Sequence, residues 1–261
     1  MVHGNPTWSF YFRRLVAALR DRYRVIVPDH IGCGLSEAPA LDQYGYTLDN
    51  RVDDLAALID ALELGDRLTL VGHDWGGMIG TAYAAEHPER FSRLILMNTA
   101  AFFPPGGKGL PLRLFLVRNL NALSAPAVLG LNLFAVGAAW MAPARPLPAD
   151  VRRGLLAPYR TPRRRLATLR FVQDIPVRPT DPAYPAVART ERHIHRLSGL
   201  PALLLWGARD FVFDLDYLAE WQRRLPAAES HVFSDAGHYI LEDAGGEIIR
   251  KVQDFLKNHP I

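Results

Sequence analysis

The sequence predicts an α/β fold: a mostly parallel sheet flanked by helices, with a helical cap inserted into it. Three observations carry that expectation. Short apolar, β-rich runs alternate with stretches of helical periodicity, the pattern of parallel strands joined by crossover helices. One run, in Leu68-Thr69-Leu70-Val71-Gly72-His73-Asp74-Trp75-Gly76-Gly77, passes through a glycine to an aspartate and on to paired glycines, the layout of a strand-to-helix elbow that presents a nucleophile. Residues 102–197 fall outside the alternation and hold many of the prolines and a dense arginine cluster.

Taken in order, Arg24-Val25-Ile26-Val27-Pro28 reads as a strand ending at Asp29, Leu68–Val71 as the elbow strand and Leu94–Met97 as the next. Ala202–Trp206 follows after the long gap, and Ser230–Phe233 comes last. Helical periodicity covers Phe10–Arg20, Leu48–Leu62 behind a Thr47 N-cap, Met78–Glu86, Leu215–Arg224 and Glu247–Leu256. The expected organisation is a core of residues 1–101 and 198–261 with a cap of 102–197. A loop beginning at His3-Gly4-Asn5-Pro6 normally follows a strand, and only Met1 and Val2 stand before it, so the first strands of the sheet are expected to be missing, as in a fragment.

Composition narrows the function classes. The 261 residues are 49% hydrophobic and 22% charged, enough for one large core with an inserted cap. A net charge of +3 is only mildly basic. The cap arginines, Arg152, Arg153, Arg160, Arg163, Arg164, Arg165 and Arg170, lack the aromatic interleaving of a nucleic-acid binder and read as a solvated face, with docking onto a partner or an anionic ligand as the alternative. The single Cys33 leaves no intrachain disulfide and fits a reducing cytoplasm. No signal peptide opens the chain. Leu120–Ala142 carries no charge, but Pro126, Gly130 and Gly137 break it, which favours short helices lining an apolar pocket over a transmembrane span.

The elbow places Asp74 where a nucleophile stands, with a helix N-terminus aimed at it; the plainer role is an N-cap for that helix. Its partners should follow as an acid and then a histidine. Of nine histidines, His238 alone lies in a loop just past the final strand, in Asp235-Ala236-Gly237-His238-Tyr239, and is expected as the base. Asp210 follows the strand Leu203–Trp206 and is the expected acid; Asp214 is more simply an N-cap and Asp235 a turn former. Asn5 and Trp75 offer side-chain N–H donors for a developing anion. No cofactor or metal site is expected: Gly32-Cys33-Gly34 lacks the third glycine of a dinucleotide loop, and His193 with His195 has no further ligands nearby in sequence. A carboxylate nucleophile is already charged and displaces leaving groups at saturated carbon, so substrates releasing halide, alkoxide or carboxylate are expected.

These motifs, HGNPTW, GHDWGG, the late aspartate and DAGH, resemble the α/β-hydrolase branch that contains haloalkane dehalogenases. "HGNPTWSFYFR", "IVPDHIGCGLS", "WGARDFVFD" and above all "ATLRFVQDIPVRPTDPAY" look more like the β-lactone decarboxylases of bacterial long-chain olefin biosynthesis. The resemblance implies an α/β-hydrolase fold and a cis-3,4-dialkyl β-lactone substrate converted to a cis-alkene and carbon dioxide. It implies Asp74 as nucleophile, His238 as base, Asp210 as acid and Asn5 with Trp75 as the anion-binding pair. It also implies work beside a β-lactone synthetase and a reductase in a multi-enzyme assembly. Whether Asp74 attacks the ring carbonyl or the alkoxy-bearing carbon is open at this level. The alternatives are halide release from an alkyl halide, an epoxide hydrolase using Tyr159 and Tyr184 as ring-oxygen donors, and a non-catalytic scaffold subunit.

Overall fold

Four of the apolar runs form a parallel sheet with the strand order β1-β2-β3-β4 in the structure, a computed structural model describing residues 1–261. The strands are β1 (Leu68–His73), β2 (Phe91–Met97), β3 (Ala202–Gly207) and β4 (Glu229–Phe233). β3 is buried along its whole length, as its unbroken apolar sequence requires of a strand covered on both faces. Side chains alternate between two cores. Leu70, Leu94, Leu96, Leu204 and Trp206 enter one, and Val71, Ile95, Met97, Leu203 and Leu205 the other.

Helices cover both faces. α1 (Arg13–Leu19) follows a short 3₁₀ turn, and α2 (Leu48–Ala61) and α3 (Trp75–Glu86) flank β1 in sequence. α2 is capped by Thr47, whose hydroxyl accepts from the Asn50 amide at 3.3 Å, as expected from sequence. Between β2 and β3 run α4 (Leu112–Asn119), α5 (Asn121–Ala125), α6 (Leu133–Met141), α7 (Ala149–Leu156), α8 (Pro162–Gln173) and α9 (Tyr184–His193). α10 (Leu215–Arg224), α11 (Ile240–Asp243) and α12 (Gly245–Asn258) complete the chain. α3, α9 and α10 pack on the first core through Ile79, Val187 and Trp221, while α1 and α12 close the second through Leu15 and Phe255.

Three expectations need correction. Residues 24–28 do not form a strand. Their backbone has no strand beside it, and the Met1 amino group on the Ile26 carbonyl at 2.7 Å is its one hydrogen bond. The helix expected over Phe10–Arg20 splits into the 3₁₀ turn Ser9–Phe12 and α1. α3 starts three residues before Met78, because Gly76 and Gly77 lie inside its first turn, pressed against Val2 and Thr99 where no Cβ would fit. The outer edge of β1 is met at one point, Val2 opposite Gly72. No single helix is long and apolar enough to cross a membrane; the uncharged stretch bends by 79° between Asn121–Gly130 and Leu133–Met141.

Candidate active site

The elbow between β1 and α3 holds Asp74 at φ 53°, ψ −129°, a backbone conformation costing an aspartate about 1–3 kcal/mol. That turn lifts the carboxylate off the sheet, where it does not cap α3. Oδ1 instead accepts the Asn5 backbone amide at 2.7 Å, and Oδ2 lies 3.3 Å from His238 Nε2. Gly4 lets the loop come this close, since a Cβ there would collide with the Asp74 side chain.

His238 sits beyond β4 with its ring between two carboxylates. Nδ1 donates to Asp210 Oδ2 at 2.7 Å, while Nε2 faces Asp74. Asp210, past the end of β3, takes a second donor on that oxygen from Asn98 Nδ2 at 2.9 Å and one on Oδ1 from the Val212 amide at 2.7 Å. Asp214 caps α10, accepting from the Asp216 amide, and Asp235 pairs with Arg209 at 2.7 Å, so neither competes with Asp210.

Burial disfavours the charged imidazolium, but the carboxylates of Asp210 and Asp74 outweigh it and push His238 up to about 10. Burial likewise opposes a charged Asp74, but the hydrogen bond and charge of His238 hold its carboxyl below the usual range. At neutral pH the site is an ionised Asp74 against a protonated His238. Neighbouring His73 is pushed down to about 3 by burial and by the charge of His238; neutral, it donates from Nε2 to the His238 carbonyl at 2.8 Å.

Asp74, His238, Asn5 and Trp75 line one cavity of about 370 Å³, with 32 lining residues of which 23 are hydrophobic. The sheet side contributes the charged floor, and α4, α6 and α8 with their connections contribute apolar walls such as Val117, Phe134 and Val172. Asn5 has committed one side-chain N–H to the Thr168 carbonyl of α8 at 3.0 Å, leaving one for a ligand. Tyr159 and Tyr184 do not line this cavity. The Tyr159 hydroxyl donates to the Thr7 carbonyl at 3.1 Å, and the Tyr184 ring packs on Phe103. Cys33 is fully buried, with its thiol pushed up to about 12 by burial. Sequence reasoning missed Asn98 as a partner of Asp210. It also missed His73. An asparagine at a strand end, in register with the acid-bearing neighbour, is the signal available.

A family model described as the alpha/beta hydrolase fold matches residues 1–245. The chain belongs to the α/β-hydrolase fold family. Within that family it belongs with the cis-3-alkyl-4-alkyloxetan-2-one decarboxylases, as expected from the motifs. It is 48% identical to the relative of that name from Shewanella oneidensis, over 98% of this chain and 80% of that protein. It is 42% identical to the one from Xanthomonas campestris pv. campestris, over 100% of this chain and 88% of that protein. Haloalkane dehalogenase relatives stand further off, at 34% identity or less. Among solved structures, a haloalkane dehalogenase from Bradyrhizobium elkani superposes with a TM-score of 0.88 over 98% of this chain and 88% of that one. At 24% identity that likeness carries the fold alone.

Proposed function

We propose that this chain is a cofactor-independent lyase that converts cis-3,4-dialkyl β-lactones to cis-alkenes and carbon dioxide, with Asp74 as nucleophile. The observation that carries the proposal is the Asp74 carboxylate on the floor of an apolar cavity, backed by His238 and Asp210. The identity to the two decarboxylases supports the substrate class, and the uncharged walls suit two alkyl tails, each buried methylene contributing roughly 0.8 kcal/mol. Residues 102–197 act as the cap that supplies those walls.

The product selects the point of attack. If Asp74 opens the ring at the alkoxy-bearing carbon, its oxygen bonds to that carbon and the ring C–O bond breaks. The electron pair leaves on a carboxylate that the N–H groups of Asn5 and Trp75, which line the same cavity, receive. The new carboxylate then loses carbon dioxide, its C–C pair becomes the double bond, and the ester bond to Asp74 breaks to restore the nucleophile. Inversion in the first step and anti elimination in the second give a cis-alkene from a cis ring. Attack on the ring carbonyl gives an acyl-enzyme that water opens to a β-hydroxy acid, not an alkene.

No proton moves in this sequence, so His238 acts through its charge, stabilising the Asp74 carboxylate in the free enzyme and as it departs. In the hydrolytic rival, His238 is the base that activates water. The lower identity of the dehalogenases and the absence of Tyr159 and Tyr184 from the cavity disfavour halide and epoxide substrates. The proposal extends to work beside a β-lactone synthetase and a reductase in one assembly, supported for the synthetase by the instability of a strained lactone in water, and to a reducing cytoplasm, supported by the lone buried Cys33. The test is incubation with a synthetic cis-β-lactone, a 1-haloalkane and a terminal epoxide. Alkene and carbon dioxide from the lactone alone support it; halide release with the lactone untouched overturns it.

A further inference from the structure

The helices that wall the cavity carry an apolar stripe on their outer side too. Leu112, Phe115 and Leu116 on α4, then Leu120 and Leu123, keep helical spacing across the break before α5 and all face solvent, with Leu112 and Leu123 exposed to 71% and 69%. Trp140 on α6 continues the patch at 57% exposure. Nothing in the chain covers these residues, and an exposed face of this kind marks a binding surface.

Charge says what covers it. Residues 102–173 contain eleven lysines and arginines and one acidic residue, Asp150. Of the basic groups, only Lys108, Arg118 and Arg145 have a carboxylate within ion-pair distance. The guanidinium of Arg152 lies 4.3 Å over the Trp140 ring, and Arg165 holds the Leu129 and Gly130 carbonyls at 2.7 and 2.8 Å, just before Leu131, which is also exposed. Aliphatic and aromatic groups framed by unneutralised arginines, on short helices none of which is by itself long and apolar enough to cross a membrane, have the composition of a segment that lies in the headgroup layer of an anionic membrane.

We propose that α4, α5 and α6 dock this protein on the surface of an anionic phospholipid bilayer, with the mouth of the cavity toward the lipid. The same helices contribute Leu114, Val117 and Phe134 to the cavity wall, so a lipid-dissolved molecule passes from the outer stripe to the inner one without crossing water. The docking rests on the surface alone. The delivery of a long-chain lactone by this route rests on the function proposed above.

The test is flotation of the purified chain with vesicles of phosphatidylcholine alone and of equal parts phosphatidylcholine and phosphatidylglycerol. The expected result is association with the anionic vesicles only, weakened by added salt, and reduced roughly tenfold in the exposed-face double variant Leu116→Glu, Leu123→Glu and in Arg152→Gln. Circular dichroism confirms folding, with Trp140→Glu as a second apolar-face variant. Turnover of a short, water-soluble β-lactone should be unchanged in the double variant. Failure to float with anionic vesicles, or equal flotation of wild type and the variants, overturns the docking. So does a change in the protein's own oligomeric state in the double variant, which would assign the face to a second copy. If no lactone is turned over at all, the flotation result still stands by itself.

Discussion

Asn98 and Asp210 meet across the ends of β2 and β3, Nδ2 to Oδ2 at 2.9 Å, on the same carboxylate oxygen that receives the His238 Nδ1–H at 2.7 Å. Asn98 also brackets Gly207, accepting from its amide at 2.8 Å and donating to its carbonyl at 3.2 Å. One side chain therefore fixes both the strand end from which Asp210 departs and the carboxylate itself. With the Val212 amide on Oδ1, Asp210 is held by three donors in a site that excludes water.

Asn98→Ala removes one of those donors and leaves the Gly207 amide without its acceptor, while the Gly207 carbonyl keeps the Asp210 amide at 3.3 Å. The expected loss is about 1–3 kcal/mol of stability, read by chemical denaturation. Alkene formation should fall roughly tenfold through kcat rather than KM, because the substrate is untouched while His238 loses its fixed orientation. An unchanged kcat in a folded variant would remove Asn98 from the site.

Asp74→Asn keeps the shape of the elbow, since asparagine tolerates a positive φ at least as well as aspartate, and removes the charge. Alkene formation should drop by roughly a thousandfold or more while the variant stays folded, its thermal midpoint lowered by the loss of the ion pair with His238. Gas chromatography of the products reads the first and calorimetry the second. Turnover retained in this variant would refute the nucleophile.

Much of this site was legible from sequence because its members sit at strand ends. A β-rich apolar run followed by a polar break locates each of Asp74, Asp210 and His238, and the sheet brings such ends together. Thr47 and the strand β3 were legible for the same reason, as local capping and burial patterns. Residues 24–28 failed the same test: β propensity describes a chain that suits a sheet, and a strand also needs a neighbour's backbone, which local pattern does not supply. Tyr159 misled in another way, since the direction of a helical cap's side chains depends on how the cap docks. Asn98 went unseen because its importance lies in a pairing between segments 112 residues apart.

The ion pair makes a pH prediction. His238 is raised from 6.5 to about 10 in the fold, so its contribution to stability is full below about 6.5 and is lost as pH rises through 10. Asp74 is lowered, so its contribution is full above its ordinary value near 3.8 and is lost as pH falls through its folded value. The stability advantage of wild type over His238→Asn should therefore be greatest between about pH 4 and 6.5 and shrink steadily toward pH 10. Alkene formation should be level from pH 6.5 to 9, with none of the rise near 6.5 that a neutral histidine base of ordinary pKa would impose. Denaturant titrations and initial rates across that range check both.

Trp75 offers the remaining donor. Trp8, Trp206 and Trp221 all spend their indole N–H on backbone carbonyls, at 3.1, 2.9 and 2.9 Å, whereas Trp75 is half-buried and turned to the cavity. Its ring leans on Phe171 at 5.3 Å, a packing contact that a phenyl ring preserves. Trp75→Phe therefore removes the N–H and little else. If that N–H receives the carboxylate released on ring opening, kcat/KM for the lactone should fall by roughly a hundredfold, with a stability change within about 1 kcal/mol. The carboxylate is absent from the intact ring, so the loss should appear in kcat with KM nearly unchanged. A loss confined to KM would instead make Trp75 part of the apolar wall, and the developing charge would have to be met by Asn5 alone.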